Sequence, residues 1–244
     1  MVNYAQWDNY AASVAENKMT DWKTHPHVAY MLEHEWVSAA EIYITYLLPF
    51  LTTEQIQAIA SVNDTYGGAQ PRNISGIFTS PSSIRYIRHA YDSCQHILSK
   101  NLQDVTVIEI GGGYGGLALT LFQVAKIMNI QIKNYIIYDL PGVTKLQKYY
   151  LSLHGLDGKV EWRNPDTYGS ECDASDTNFL ISSYCISEIP DQYRAKYLST
   201  LLPKIKGAFF VWNWGSKAEL PADRDERPEI PDTSGGKGNT IIRL

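Results

Sequence analysis

The chain is short of charge, of cysteine and of long apolar runs, and each shortage removes a class of protein. Only 19% of its 244 residues are charged, and 21 Lys plus Arg against 26 Asp plus Glu leave a net charge of −5. Holding nucleic acid through its phosphates takes a basic footprint, so no nucleic-acid partner is expected. The three cysteines, Cys94, Cys172 and Cys185, are an odd number with no metal-ligand spacing. They argue against a disulfide framework and suit reduced thiols in the cytoplasm. The longest apolar run, Ile42 to Leu51, is too short to span a bilayer. Met1 to Trp7 has neither the basic nor the apolar part of a signal peptide. No membrane partner is expected. The hydrophobic fraction of 44% supports a packed core and argues against wholesale disorder.

Two patterns divide what is there. Residues 1–104 carry helical stripes and no strand alternation. Val28 to Leu48 is mostly apolar or aromatic, interrupted by Glu33-His34-Glu35, and Thr52 with Gln55 forms a capping box for a helix through Ala60. Val62 to Pro81 reads as a long loop. Ser82 to Lys100 reads as an amphipathic helix with Ile84, Ile87, Tyr91, Cys94 and Leu98 on one face. From Asp104 strands alternate with helices: strands at 105–110, 134–139, 159–162, 178–184 and 207–214, and helices at 114–128, 142–154 and 190–203. Ser216 to Asn239 reads as loop and Thr240 to Leu244 as a last strand. The βα alternation predicts an α/β fold, Rossmann-like and doubly wound, with a mainly parallel sheet and an N-terminal helical region. The expected division is a helical cap or extension over 1–80 and a Rossmann-like domain over 81–244.

The most informative stretch is Val105-Thr106-Val107-Ile108-Glu109-Ile110-Gly111-Gly112-Gly113-Tyr114-Gly115-Gly116. A buried strand meets a glycine turn and then a helix, an arrangement that lets a ligand approach bare backbone at a helix N-terminus. The glycines satisfy the dinucleotide fingerprint through Gly111, Gly113 and Gly116, and also E-x-G-x-G-x-G from Glu109 through Gly115. Asp139, at the end of the next strand, suits ribose hydroxyls under either pattern. Glu109 separates them, because a carboxylate before the turn repels a pyrophosphate and accepts from an ammonium. S-adenosylmethionine carries such an ammonium and no phosphate.

Ligands of parallel sheets lie beyond the carboxyl ends of the strands. That edge collects the glycine turn, Asp139, Ser183-Tyr184 and Asn213-Trp214. Arg85 and His89, one turn apart at the start of the 82–100 helix, would face it: Arg85 toward a donor carboxylate or a phosphate, His89 as a base. A solvated basic face is the alternative for Arg85, and a surface histidine the alternative for His89. Glu188 is a candidate general base if desolvation raises its pKa, with Ser187 and Tyr184 to position an acceptor hydroxyl. Ser187-Glu188 could equally be only the start of a helix. Asp139, Glu188, Asp223 and Asp225 are oxygen donors without ligand spacing, so no metal site is assigned and metal dependence stays open.

On these residues the chain resembles the class I S-adenosylmethionine-dependent methyltransferases and, more narrowly, the sugar O-methyltransferases. The likeness rests on Val107 to Gly116, on Tyr138-Asp139-Leu140-Pro141 with Leu146-Gln147 and Tyr150-Leu151, on Ser183-Tyr184 with Ser187-Glu188, and on Ser82 to Tyr86. It covers residues 80–215. It implies that Glu109, Gly111, Gly113 and Gly115 hold the methionine part of the donor, with Asp139 and Leu140 at its ribose and Ser183 and Arg85 beside it. Tyr114, Tyr184, Ser187 and Asn213 are the candidate acceptor contacts, and Glu188 and His89 the candidate bases. The implied reaction methylates a hydroxyl of a sugar or nucleotide-linked sugar and leaves S-adenosylhomocysteine. A nicotinamide-dependent oxidoreductase and a methyltransferase-fold binding protein without catalysis are the alternatives. A homodimer is left open.

Overall fold

The computed structural model describes residues 4–156, 158–234, 236 and 238–244. They divide into two units: Met1–Tyr91 with Gly113–Val124 and Pro141–Asp157, and Asp92–Gly112 with Ala125–Leu140 and Gly158–Leu244. The first is helical and the second holds the sheet. Residues 1–3, 157, 235 and 237, which fall in the expected cap, in the domain after it and in the expected tail loop, lie outside the described residues.

In the helical unit the chain forms α1 (Tyr4–Asn17), α2 (Pro26–Met31), α3 (Val37–Leu47), α4 (Thr53–Asp64) and a hairpin of β1 (Arg72–Ile74) and β2 (Ile77–Thr79). The beginnings of α5 (Pro81–Ser99) and α6 (Gly116–Ile127), and all of α7 (Pro141–Leu153), also belong to it. The apolar stretch 28–48 is therefore two helices, broken where Glu33-His34-Glu35 interrupts it. The capping box is formed at the start of α4: Gln55 N–H donates to Thr52 Oγ1 at 3.2 Å, and Thr52 N–H donates to Gln55 Oε1 at 2.8 Å. This helix runs past Ala60 because Asn63 continues its buried face.

The long loop over 62–81 contains the β1–β2 hairpin, whose two turn residues, Ser75 and Gly76, both have positive φ (49° and 86°). That is the pattern of a type I′ hairpin, and the Ser-Gly pair was its signal. Asp8 of α1 caps α7, its Oδ1 accepting from Gly142 N–H at 2.7 Å and Val143 N–H at 3.1 Å. The expected apolar stripe of α5 is buried except for Leu98. Arg85, Arg88, His89 and Asp92, which lie off that stripe, are buried as well, so no solvated basic face exists there.

In the sheet unit seven strands lie in the order β5-β4-β3-β6-β7-β9-β8. They are β3 (Val105–Ile110), β4 (Ile132–Tyr138), β5 (Val160–Arg163), β6 (Asn178–Ser183), β7 (Gly207–Trp212), β8 (Asp225–Pro228) and β9 (Thr240–Arg243). The first five pair in parallel, and β9 is antiparallel to both β7 and β8. The fold is thus α/β, Rossmann-like and mainly parallel. β8 corrects the expectation of loop from Ser216 to Asn239. Its residues, Asp225-Glu226-Arg227-Pro228, are all exposed, the charged, proline-ended chemistry of a protected edge strand, which has no apolar alternation to read.

One sheet face packs Ile108, Ile110, Leu180, Phe210 and Trp212 against Tyr197, Leu198 and Leu201 of α9 (Asp191–Leu201). On the other, the His96 ring near the end of α5 meets Phe179 edge-on at 5.7 Å, and its Nε2 lies 2.8 Å from the Leu244 carbonyl. With helices on both faces, the central strands are mostly apolar, and each buried apolar side chain contributes about 1.5–3 kcal/mol.

Candidate functional site

In the sheet unit the site begins where β3 ends. Gly111 turns at φ 75°, and a Cβ there would overlap the Cys185 side chain beneath it. Its N–H donates to the Tyr138 carbonyl at 3.0 Å. The next N–H, of Gly112, donates to Asp139 Oδ2 at 2.9 Å, while Asp139 Oδ1 accepts from Leu140 N–H at 2.8 Å. Asp139 therefore ties the ends of β3 and β4 together and stays half-buried.

Glu109 lies on the sheet face opposite α9 and is 1% exposed. Its Oε2 accepts from the Tyr135 hydroxyl at 2.8 Å. Burial pushes its carboxyl up to about 8; the Tyr135 hydrogen bond opposes that rise and the Asp139 charge adds to it. The free protein holds Glu109 protonated at neutral pH. An ammonium brought to it would favour the ionised form. Burial, and then the carboxylates of Asp139, Glu188 and Glu109, raise the Cys185 thiol well above its ordinary range, so it stays protonated.

At the end of β6, Ser183 pairs with Val211. Tyr184 follows at φ 68° and ψ −41°, a conformation that side-chain-bearing residues rarely adopt and that clusters at functional sites. Its N–H donates to the Val211 carbonyl at 2.7 Å, and its hydroxyl donates to the buried Glu229 at 2.8 Å. Asn239 Nδ2 donates to the same carboxylate at 2.8 Å. The short helix α8 (Cys185–Glu188) then sets Ser187 and Glu188 beside Asn213, at the end of β7. Asn213 Nδ2 donates to Glu188 Oε1 at 2.6 Å, and Asn213 Oδ1 accepts from Trp214 N–H at 2.9 Å and from the Ser187 hydroxyl. The Trp214 N–H on Oδ1 and the Glu188 carboxylate on Nδ2 fix which way the amide faces. Glu188 is thereby held beside the end of β7 by the Asn213 amide.

The helical unit holds the other expected residues. Gly113 and Gly115 have φ of 55° and 99°. Between them Tyr114 is wholly buried, its hydroxyl donating to Glu33 Oε1 at 2.7 Å and accepting from Asn63 Nδ2 at 3.3 Å. It presents no surface to an acceptor. Arg85 is 3% exposed; its Nη2 donates to the Leu32 carbonyl at 2.8 Å, and its Nη1 lies 3.5 Å from Glu35 Oε2. His89 is buried with its ring edge-on to Tyr43 at 6.5 Å. The polar cluster of Tyr184, Ser187, Glu188 and Asn213 thus comes together in the sheet unit, whereas Arg85, His89 and Tyr114 sit in buried surroundings of the helical unit. Sequence reasoning missed Tyr135, Cys185 and Glu229. Tyr135 had a readable signal, since it shares a sheet face with Glu109 through the β3–β4 register.

No helix among the described residues is long and apolar enough to cross a membrane. Nor do they contain a group of three His, Cys, Asp or Glu that could hold a metal ion.

No family model matches the chain, and no curated protein does. Among solved structures, it is similar to a candidate sarcosine dimethylglycine methyltransferase from Galdieria sulphuraria at 13% identity and TM-score 0.44, over 65% of this chain and 59% of that one. It is similar to an S-adenosylmethionine-dependent methyltransferase from Clostridium acetobutylicum at 15% identity and TM-score 0.41, over 60% and 58% of the two chains. A Thermoplasma acidophilum protein matches at 11% identity and TM-score 0.48, over 80% and 97%. The chain spans under two thirds of the length of the first two. At these identities and scores the likenesses assign neither activity nor substrate.

Proposed function

We propose that the protein is an S-adenosylmethionine-dependent methyltransferase and, within that class, an O-methyltransferase for a hydroxyl of a sugar or nucleotide-linked sugar. The observation that carries the reading is the acidic pair at the glycine turn. Glu109 and Asp139 interact electrostatically, and Asp139 holds Gly112 N–H. The Asp139 charge opposes a pyrophosphate, and the pair suits an ammonium, which would ionise Glu109, and a pair of ribose hydroxyls. The sheet order adds support, because the dinucleotide fold runs 3-2-1-4-5-6, whereas here an antiparallel strand is inserted next to the edge.

In this reading Glu109, Gly111, Gly113 and Gly115 hold the methionine end, Asp139 and Leu140 the ribose, and Ser183 and Arg85 flank them. The donor supplies an electrophilic methyl on a cationic sulfonium. Glu188, held by the Asn213 amide, takes the proton of the acceptor hydroxyl, and Ser187 and Tyr184 orient the acceptor. His89 is the second candidate base. Residues 1–80 are a helical extension of a catalytic domain over 81–244, and the protein works in the cytoplasm on a small-molecule acceptor.

The test is titration calorimetry with S-adenosylhomocysteine and, separately, NAD, followed by product analysis with a panel of nucleotide sugars. Binding of S-adenosylhomocysteine and not NAD is expected, with a methylated sugar product. NAD binding alone would overturn the donor. Donor binding with no product across the panel would overturn the sugar assignment.

A further inference from the structure

A tyrosine inside a glycine turn is an unusual side chain to bury. Tyr114 stands between two positive-φ glycines, and its ring meets Trp22, Tyr86 and Tyr150 edge-on at centroid distances of 4.8, 5.7 and 5.0 Å. The Lys23 ammonium lies 4.8 Å from the centre of the Tyr114 ring and donates to the Asn63 carbonyl at 2.6 Å. Asn63 in turn donates to the Tyr114 hydroxyl, which donates to Glu33. Tyr150 closes the network by donating to Asn63 Oδ1 at 2.8 Å. The same unit holds the turn's backbone as well. Gln147 Nε2 donates to the Gly113 carbonyl at 2.9 Å, and a Cβ on Gly113 would stand 3.2 Å from Leu32. Every one of these partners lies in the helical unit.

A buried polar network whose members satisfy one another is rigid, and it fixes one conformation of the segment it grips. We propose that Tyr114 is a positioning residue: it pins residues 113–116 of the turn to Trp22, Glu33 and Asn63, so that donor affinity depends on N-terminal side chains that never touch the donor. The proposal rests on the reading of the turn as a donor site. It also gives the N-terminal segment a role in binding, since Trp22, Lys23, Leu32 and Glu33 all come from the first 35 residues.

The experiment uses the full chain and S-adenosylhomocysteine as probe. Tyr114→Phe keeps the ring and removes the hydroxyl. Glu33→Leu removes its acceptor, Glu33→Gln restores one, and Leu32→Ala withdraws the side chain behind Gly113 without entering the network. Affinity is read by calorimetry and turn rigidity by hydrogen exchange over residues 111–118, with thermal unfolding to show that each variant is folded at the assay temperature. Tyr114→Phe and Glu33→Leu should weaken binding roughly tenfold and raise exchange in the turn, while Glu33→Gln stays within about threefold of the parent. Should Tyr114→Phe not fold, Leu32→Ala carries the test with the same expectation for exchange and affinity. Parent-like affinity and exchange in the folded variants overturn the inference alone. A parent protein that binds no S-adenosylhomocysteine overturns the donor reading and this inference with it.

Discussion

Replacing Glu109 with glutamine isolates the electrostatics of the turn. The amide has nearly the shape of the acid and still accepts from the Tyr135 hydroxyl, but it cannot ionise. Glu109 is 1% exposed, and burial is the largest cause of its rise from 4.5 to about 8. The folded protein therefore keeps a proton that the unfolded chain surrenders as pH climbs from 4.5 toward 8. Where the native state binds the extra proton, stability falls as pH rises. One group does this at about 1.4 kcal/mol per pH unit, and a rise of this size accumulates to roughly 5 kcal/mol above pH 8. E109Q has no such slope. The stability of E109Q minus that of the parent should be small near pH 4.5, grow through neutrality and level off above pH 8. Urea unfolding followed by fluorescence, at five pH values from about 5 to about 9, measures the difference, and groups that titrate alike in both proteins cancel. A difference that stays flat over this range, or grows as pH falls, refutes the account of Glu109.

Three further outcomes follow from the geometry. Glu188→Gln should slow turnover on the order of 10²–10⁴-fold while calorimetry finds S-adenosylhomocysteine affinity within about twofold of the parent; full activity removes Glu188 as the base. Asp139→Asn can accept from only one of the two N–H groups that the carboxylate serves, and it turns an NH₂ on the other. It should cost about 1–3 kcal/mol of stability, seen in thermal unfolding, and weaken S-adenosylhomocysteine binding; an unchanged melting point contradicts the clamp. Gly111→Ala meets both a φ of 75° and the Cys185 side chain, so it should destabilise by more than about 1 kcal/mol. Adding Cys185→Gly should return part of that loss relative to Cys185→Gly alone, because both the Cβ and the Sγ in overlap go while the backbone strain stays. No recovery in the double variant would mean that the contact is not what costs stability.

The parallel part of the fold was legible because its strands are buried on both faces and read as apolar runs. β3, β6 and β7 fall within two residues of the expected spans. β8 was not legible, since an exposed edge strand of Asp, Glu, Arg and Pro owes its existence to pairing with β9 rather than to its own pattern. The break between α2 and α3 was written in Glu33-His34-Glu35, but charge alone does not say whether a helix bends, ends or buries the charges. Here Glu33 and Glu35 are engaged by Tyr114 and Arg85. The acidic residues of the turn could be named from spacing. The state of Glu109 could not, because it depends on Tyr135, 26 positions away, and on burial that only the assembled sheet creates. For Arg85, His89 and Tyr114 residue type suggested a role, but their burial depends on the helices packed around them and could not be read from the stripe.

The close packing behind the glycines bears on how this chain can change over generations. Gly113 backs onto Leu32, Gly115 onto Leu151, and Gly116 onto Tyr86 and Tyr114. Selection for a sound interior would therefore hold these glycines even in a descendant that no longer bound a ligand. Glu109 has the opposite standing. Ionising it works against folding, and the buried Tyr135 hydroxyl needs only a neutral acceptor, so only chemistry would retain an acid there, and a glutamine would spread soon after the chemistry was lost. In a lineage of such chains the acid, rather than the glycine signature, would record which members still work.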